Sequence, residues 1–322
     1  MNSALFLTSL SLPNLVTRLP GGVAQGLIWG LMALGLYITF RVLDFADLTV
    51  DGSFATGGAV TVMLILAGAP AWAALLAAII VGALAGLCTG LLHTRLGIPA
   101  ILAGILTQFS LYSINLRIMG MAANKPVSVD NYKLILSSRS IPGAILTGLI
   151  FAVVLTALYY WYFGTEQGAA IRATGSNPGM SRAQGIDVDA MKVLGLSISN
   201  GVVALAGGLM AQYQGFADVN MGRGAIVIGL AAVIIGEVLV RPLLRKLNNI
   251  AFALTLSFTV IGGVIYYAVV VVVLWLRLNS SDLKLFTAVI VAVFLAVPYL
   301  RDRKLHSFAR YNNGRKGADG NA

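Results

Sequence analysis

Four carboxylates lie within or beside the apolar runs of this sequence, and they are the side chains whose type and position could do chemistry. Asp47 and Asp51 precede one short apolar run, Asp218 precedes a second, and Glu237 lies near the end of that second run. If these runs cross a membrane, an ionised group at the bilayer centre costs roughly 2.5–3.5 kcal/mol on insertion scales. Such residues are expected at a gate, at a broken helix, or at a proton or sodium site.

Capping and ion pairing are alternative explanations for two of these carboxylates. Asp51, followed by Ser53, precedes an apolar run as a helix N-cap does, because a short acceptor side chain there satisfies backbone N–H groups of the first turn. Glu237 lies four residues before Arg241, a spacing that brings two side chains together on a helix. The sequence alone is compatible with these roles and with substrate contact or gating.

Amide side chains form a second polar set within the apolar runs. Gln108 and Asn115 belong to one run, at positions that partly share a helix face, while Asn200 lies in another run that Gln214 ends. Buried amides commonly form hydrogen bonds between membrane helices. The alternative hypothesis is that these four residues line a passage for a substrate.

The sequence lacks the patterns expected of an enzyme, a metal site or a cofactor site. Cys88 is the single cysteine, and the histidines His93 and His306 are isolated beside basic residues, so no metal-ligand set is predicted. No glycine cluster ends in the Gly-Lys-Ser/Thr sequence that cradles phosphate. We therefore expect a non-enzymatic chain without a cofactor of its own, for which any energy from ATP comes from another subunit.

The composition is that of a membrane protein. Of the 322 residues, 58% are hydrophobic and only 11% are charged, and the mean hydropathy is +0.87, whereas soluble domains are roughly 25% charged. The formal charge is +10, and six of the 22 Lys and Arg residues lie in the tail, residues 301–322, which the positive-inside rule explains better, as a cytoplasmic anchor, than binding to nucleic acid does. The sequence predicts one transmembrane domain, residues 1–322, with its membrane core at residues 20–300.

The sequence has nine apolar runs, of which all but the short second and seventh are close to the roughly 20 residues that a helix needs to cross a bilayer; those two are predicted as re-entrant segments or half-helices. The glycines Gly82, Gly86 and Gly90 recur every four residues, which favours close packing of helices. Because Lys and Arg concentrate on the cytoplasmic side of membrane proteins, the charge distribution predicts a cytoplasmic C-terminus and an external N-terminus. The predicted spans are residues 22–40, 54–66, 71–92, 100–119, 141–163, 193–213, 225–240, 250–275 and 283–300.

A short internal repeat indicates that two parts of the chain are related. Residues 45–50, FADLTV, recur as residues 216–221, FADVNM, each time after a glycine-rich run and before a short one. The predicted topology puts the first copy at the inner face and the second at the outer face. This is the pattern of an inverted repeat whose broken helices meet near the middle of the membrane. We expect an all-α polytopic membrane protein with about nine transmembrane helices, some of them short or broken.

The longest polar interval, Gly164 to Met191, has small and polar residues of mixed charge. A short helix is predicted over Gly164 to Ala173, followed by a turn around Asn177. Pro178 then suits the first position of a second short helix, because its missing N–H has no partner there in any case. A membrane protein that exposes such a segment usually offers it to a soluble partner.

This interval resembles the cytoplasmic coupling segment of permease subunits in the branched-chain amino acid and ribose class of ATP-binding cassette (ABC) importers. Residues 22–59 resemble the start of those permeases, and the resemblance covers about residues 20–300. Residues 93–120 look most like an uncharacterised branch suggested to carry amino acids, including aromatic ones. The interval residues that carry the resemblance are Gly168, Arg172, Ala173, Gly175, Asn177, Pro178, Ala183, Gly185 and Ile186.

The resemblance implies a permease homodimer in a bacterial inner membrane, with two ATP-binding subunits inside and a substrate-binding protein outside. ATP and Mg²⁺ would belong to the ATP-binding subunit, and the interval would dock into it. The residues expected to form the docking element are Gly168, Arg172, Ala173, Gly175, Asn177, Pro178, Gly185 and Ile186. Because the interval is slightly acidic, we expect docking by shape and apolar contact, through Ile171 and Met180. The alternative is a stand-alone secondary transporter that uses Asp47, Asp51 or Glu237 as an ion site.

Overall fold

In the computed structural model, the described residues are 12–244, 251–275 and the isolated positions 285, 288, 289, 292, 293 and 296. The predicted ninth span, residues 283–300, therefore lies outside the described residues except at those isolated positions, as does the whole of the tail, residues 301–322. The described part is helical apart from two short strands and the connecting loops. Its helices are α1 (Leu12–Tyr37), α2 (Thr49–Leu66), α3 (Ala71–Thr94), α4 (Ala100–Ile118), α5 (Ile141–Phe163), α6 (Glu166–Ser176), α7 (Pro178–Ala183), α8 (Val188–Gln214), α9 (Ala225–Leu244) and α10 (Ala251–Trp275), and its strands are β1 (Asn124–Pro126) and β2 (Phe216–Asp218).

Eight helices of the described part are long and apolar enough to cross a membrane, and they correspond to the first eight predicted spans. The prediction of an all-α polytopic membrane protein is confirmed. The second span was predicted too short, because α2 begins at Thr49 and not at Phe54. Asp47 explains the earlier start, since its Oδ1 accepts a hydrogen bond from the Thr49 backbone N–H at 2.9 Å.

Six of the helices form two sets of three, and the contacts made by one set correspond to those made by the other. Helix α1 packs on α10 as α8 packs on α3, α2 packs on α3 as α9 packs on α10, and α1 packs on α9 as α8 packs on α2. Helices α1–α3 thus correspond to α8–α10, and the repeated FAD motif joins the first two helices of each set. The core lies where α1, α2 and α8 meet, whereas α4 and α5 expose most of their side chains.

Glycines allow the closest of these helix contacts. A methyl group on Gly86 of α3 would overlap the Leu196 carbonyl oxygen of α8, and one on Gly82 would overlap the Asn200 carbonyl oxygen. The predicted role of these glycines in close packing is confirmed. In the corresponding pair, Gly26 of α1 lies equally tightly against α10. Such contacts let backbones approach where lipid supplies no hydrophobic driving force for association.

The directions of the helices show that the repeat is inverted. Helices α1 and α8 run antiparallel, α9 runs parallel to α1, and α2 runs parallel to α8, so α2 and α9 run in opposite directions. The contacts that establish these directions are Gly35–Ser199 and Gly21–Tyr213 for α1 and α8, Gly229–Met32 and Glu237–Arg41 for α9 and α1, and Ser53–Asn200 and Gly58–Ala211 for α2 and α8.

Helix α8 separates two ends of the molecule. Its 27 residues span about 40 Å at 1.5 Å per residue, with α6 and α7 before its first residue and β2 after its last. Strand β2 pairs antiparallel with β1, from Asn124 opposite Asp218 to Pro126 opposite Phe216. The polar interval and the strand pair therefore lie at opposite ends of the helix bundle.

Candidate functional site

The two copies of the FAD motif adopt the same local turn. In the first copy Asp47 accepts from the N–H of Thr49, and in the second Asp218 Oδ1 accepts from the N–H of Asn220 at 2.7 Å. An aspartate that bonds the backbone two residues ahead mimics a backbone turn. The turn redirects the chain before α2 in one half and before α9 in the other, which is how two short helices come to start inside the bundle.

Asp47 is fully buried in a polar cluster between α2 and α8. Its Oδ2 accepts from Asn200 Nδ2 at 2.7 Å, and Asn200 Oδ1 accepts from the Ser53 hydroxyl at 2.6 Å. Burial raises the pKa of the Asp47 carboxyl above its ordinary value, although these hydrogen bonds act in the opposite direction. Replacing Asn200 by an apolar residue would leave a buried acceptor unpaired, at a cost of about 1–3 kcal/mol.

Three threonine hydroxyls continue this cluster into neighbouring helices. The Thr89 hydroxyl oxygen of α3 lies 2.7 Å from the Thr49 hydroxyl oxygen, and the Thr89 hydroxyl donates to the Thr107 hydroxyl of α4 at 2.9 Å. All three residues are buried. The cluster therefore connects the start of α2 to α3, α4 and α8 by hydrogen bonds. Apolar packing alone would leave the buried polar groups of the turn without partners.

Asp51 joins the starts of the two short helices. It lies in the first turn of α2, and its two oxygens accept from the backbone N–H groups of Gly224 at 3.1 Å and Ile226 at 3.0 Å. These N–H groups belong to the start of α9, whose exposed donors and helix dipole favour a carboxylate. The N-termini of α2 and α9 thus meet inside the bundle at one carboxylate.

A cavity of about 390 Å³ opens beside this junction. It lies between α2, α4 and the segment that follows β2. Four residues of α4 line it at helical spacing, so one face of that helix forms a wall. The lining residues are Asp51, Gly52, Ala55, Gln108, Phe109, Tyr112, Asn115, Val219, Asn220 and Arg223.

Helices α6 and α7 form a compact capped pair at the other end of the bundle. Asn177 separates them: its N–H donates to Ala173 O and closes α6, and its Oδ1 accepts from Met180 N at 3.0 Å and opens α7. Pro178 is the first residue of α7. Gly185 has φ of +84°, a conformation that glycine adopts without strain, and it turns the chain toward α8.

The inner side of this pair packs on the end of α1. Residues Ile38–Val42 form a π-helical turn there, and a methyl group on Gly175 would overlap the Val42 carbonyl oxygen. Ile171 is fully buried. The π turn also carries Arg41, which forms an ion pair with Glu237 of α9. The pair α6–α7, the end of α1 and α9 are therefore in contact one after another.

Residues 19–298 match the family described as the permease component of the branched-chain amino acid transport system. The chain belongs to this permease family. Over 274 residues it is 39% identical to the tyrosine transport system permease protein of Clostridioides difficile, covering 85% of this chain and 89% of that protein. Over 244 residues it is 28% identical to the probable branched-chain amino acid transport permease protein LivH of Methanocaldococcus jannaschii, covering 68% and 73%.

A further relative is named for a different solute. The permease is 32% identical over 213 residues to the autoinducer 2 import system permease protein LsrC of Yersinia pestis, which covers 65% of this chain and 58% of that one. No solved structure matched the permease.

The structure separates the predicted docking residues into two groups. Arg172, Asn177, Pro178 and Gly185 are exposed, whereas Gly168 is buried and the remaining three, Ala173, Gly175 and Ile186, are half-buried. Gly168 packs on the end of α5 as Gly175 packs on α1. The expectation that Ile171 offers an apolar contact to a partner is wrong, because this side chain is buried within the permease; Met180, with 59% of its surface exposed, is available.

The predicted passage residues do not form one set in the permease. Gln108 and Asn115 lie together in the cavity beside Asp51. Asn200 lies in the buried cluster with Asp47, and Gln214 is exposed at the end of α8. The assignment of a substrate passage to the first pair remains a prediction.

Two capping and pairing assignments need correction. Asp51 was predicted as a possible cap of its own helix, but it caps α9, about 170 residues away in the chain. Glu237 was paired with Arg241 by helical spacing, and the structure gives it Arg41 as an ion-pair partner. Both partners are distant in sequence and close in the fold, so spacing along one helix could not reveal them.

Sequence reasoning missed three polar residues of the cavity lining: Tyr112, Asn220 and Arg223. Asn220 and Arg223 follow the second FAD motif, and the repeat itself could have drawn attention to them. Tyr112 lies four residues after Gln108 and three before Asn115, so the helical periodicity of α4 contained that signal.

Proposed function

We propose that the permease is the membrane-spanning subunit of an ABC importer. It works as a homodimer in a bacterial inner membrane, with its C-terminus in the cytoplasm. A separate ATP-binding subunit holds ATP and Mg²⁺, and an external binding protein delivers an amino acid or a related small solute. The name of the tyrosine transport relative supports an amino acid as the solute.

The observation that carries this proposal is the capped helix pair α6–α7. It exposes the polar Asn177 and the apolar Met180, and it packs its other side on the end of α1. A partner that pushes on this surface moves the π turn, and through Arg41 and Glu237 it moves α9. Because α9 begins at the junction with Asp51, the force reaches the interior of the bundle.

Charging the exposed end of α7 tests the proposal. Met180→Asp replaces an exposed apolar side chain by a carboxylate, which any apolar groove of a partner must desolvate. We expect at least a tenfold loss of the ATP-binding subunit that co-purifies with the permease, and a parallel loss of ATP hydrolysis stimulated by the loaded binding protein.

Met121→Asp is the matched control. Met121 is 75% exposed at the opposite end of the bundle, just after α4, and its substitution should leave co-purification of the ATP-binding subunit within twofold of the wild-type level. Full co-purification and ATP hydrolysis with Met180→Asp would contradict docking at α7. Solute uptake by the purified permease alone, driven by an ion gradient in liposomes, would instead favour a secondary transporter.

A further inference from the structure

The cavity beside Asp51 contains buried polar atoms that the described part of the protein leaves without partners. Asn115 is only 1% exposed, and both its side-chain nitrogen and its side-chain oxygen lack a hydrogen bond. The side-chain oxygen of Asn220, on the opposite wall, is also buried and unpaired. A buried polar group without a hydrogen-bond partner destabilises the folded protein. These three unpaired atoms belong to two residues that line one cavity, so a hydrogen-bonding occupant that reaches them would supply the missing partners.

The same cavity is lined by one negative and one positive side chain. The two oxygens of Asp51 accept the backbone N–H groups of Gly224 and Ile226, and a carboxylate offers about four acceptor positions, so acceptor capacity remains on this lining residue. Arg223 is exposed, and it is not a member of any ion pair formed among the described residues. An occupant with a cationic and an anionic end therefore finds a counter-charge for each.

The remaining walls are suited to an apolar or aromatic group. Phe109 and Tyr112 contribute ring surface from α4, and Ala55 and Val219 contribute aliphatic surface from the facing elements. The volume of about 390 Å³ lies at the lower end of the roughly 300–1,000 Å³ of small-molecule sites. A single amino acid has this combination of two opposite charges, hydrogen-bonding groups and one apolar side chain.

We propose that this cavity is a binding site for a zwitterionic α-amino acid within the membrane part of the permease. Asp51, together with the side-chain oxygens of Asn115 and Asn220, receives the ammonium group. Arg223 and the Asn115 amide nitrogen receive the carboxylate, and the rings of α4 contact the side chain. This proposal rests on the proposed function and adds to it a recognition step on this chain, after release from the external binding protein.

Binding to the purified full-length permease in detergent tests the site directly. The probes are L-tyrosine, L-leucine, tyramine, which lacks the carboxylate, and 3-(4-hydroxyphenyl)propionate, which lacks the ammonium group. Isothermal titration calorimetry should detect at least one of the two amino acids and find at least tenfold weaker binding for both tyrosine analogues. Equal binding of the analogues, or no binding of either amino acid, would overturn the proposal.

Asn115→Leu is the decisive variant, because leucine has a similar volume and removes both unpaired atoms. We expect at least a tenfold loss of amino acid affinity together with an unchanged or higher unfolding temperature, which an essential structural role would not give. Ser113→Ala, at an exposed position of α4 outside the cavity, should bind within twofold of wild type. Wild-type affinity in Asn115→Leu would show that the amino acid binds without Asn115, and it would overturn the proposal.

The assembled importer distinguishes this site from the proposed function. If the complex imports amino acid with ATP and Asn115→Leu has the same KM and maximal rate, the site is wrong and the function stands. If the purified permease binds amino acid through Asn115 while the complex shows no ATP-driven import, the function is wrong and the site stands.

Discussion

Asp47 shows how one buried carboxylate is held between two halves of the chain. Its backbone bond to Thr49 is local, but its bond to Asn200 crosses from the first repeat to the second. The sequence predicted that Asp47 belongs to a broken-helix motif, because the motif recurs. It could not predict the partner, because Asn200 reaches Asp47 only through the packing of α2 on α8. The same limit explains why the partners of Asp51 and Glu237 were missed.

The pKa of Asp47 predicts a pH-dependent stability. Burial raises this pKa above the ordinary value of about 3.9, so the folded permease holds the proton more tightly than the unfolded chain. Stability from this group is complete at low pH and is lost as the pH rises through the raised pKa. Relative to Asp47→Asn, which cannot ionise, the wild type should lose unfolding temperature as the pH rises.

Thermal unfolding of both proteins in detergent between pH 4 and pH 9 measures this difference. Ser113→Ala, at an exposed position of α4, changes no ionisable group and is the control, and its offset from the wild type should not change with pH. A constant offset between the wild type and Asp47→Asn across the range would show that the buried carboxyl does not titrate with folding.

At the scale of elements, the pair α6–α7 was predicted well because its signals are local. Asn177, Pro178 and Gly185 act as a cap, a first helical residue and a left-handed turn, and each role follows from residue type. The side of the pair that packs on the bundle cannot be predicted from residue type. Which of Gly168, Ile171 and Met180 point inward depends on α1 and α5, and the interval by itself contains no information about them.

Gly175→Ala should separate docking from transmission. Its new methyl group overlaps the Val42 carbonyl oxygen and forces α6 away from the π turn. We expect the ATP-binding subunit to co-purify with this variant as it does with the wild type. The ratio of solute taken up to ATP hydrolysed should fall at least tenfold. Gly179→Ala, where a methyl group meets only the Asn177 side chain at 3.5 Å, should stay within twofold of wild type on both measures. Equal uptake per ATP in the two variants would exclude this route.

At the scale of the whole molecule, the inverted repeat was predictable from six residues, but its extent was not. The FAD motif indicated the relation, whereas the correspondence of α1–α3 with α8–α10 is visible only in which helices touch. The pairing of β1 with β2 was also not predicted, because strands of three residues leave no periodic pattern.

The separation of the two ends of α8 predicts which surfaces are accessible in cells. Ser128 lies near β1 and Ser176 ends α6, and both serines are exposed. In a Cys88→Ser background, Ser128→Cys should react with a membrane-impermeant maleimide in intact cells, and Ser176→Cys only after permeabilisation. Labelling of both from the same side would contradict the fold, and the reverse pattern would invert the proposed orientation.

The π turn at residues 38–42 carries two of the contacts that the end of α1 makes with other elements. A π turn accommodates one extra residue within an otherwise α-helical ladder of hydrogen bonds. If the turn converted to α-helix, the residues after it would shift relative to the residues before it. The end of α1 would then advance by one residue, about 1.5 Å along the axis with a rotation of about 100°. Arg41 and the Val42 carbonyl lie in this turn. Such a shift would therefore change both the ion pair of Arg41 with α9 and the contact of Gly175 with the Val42 carbonyl oxygen.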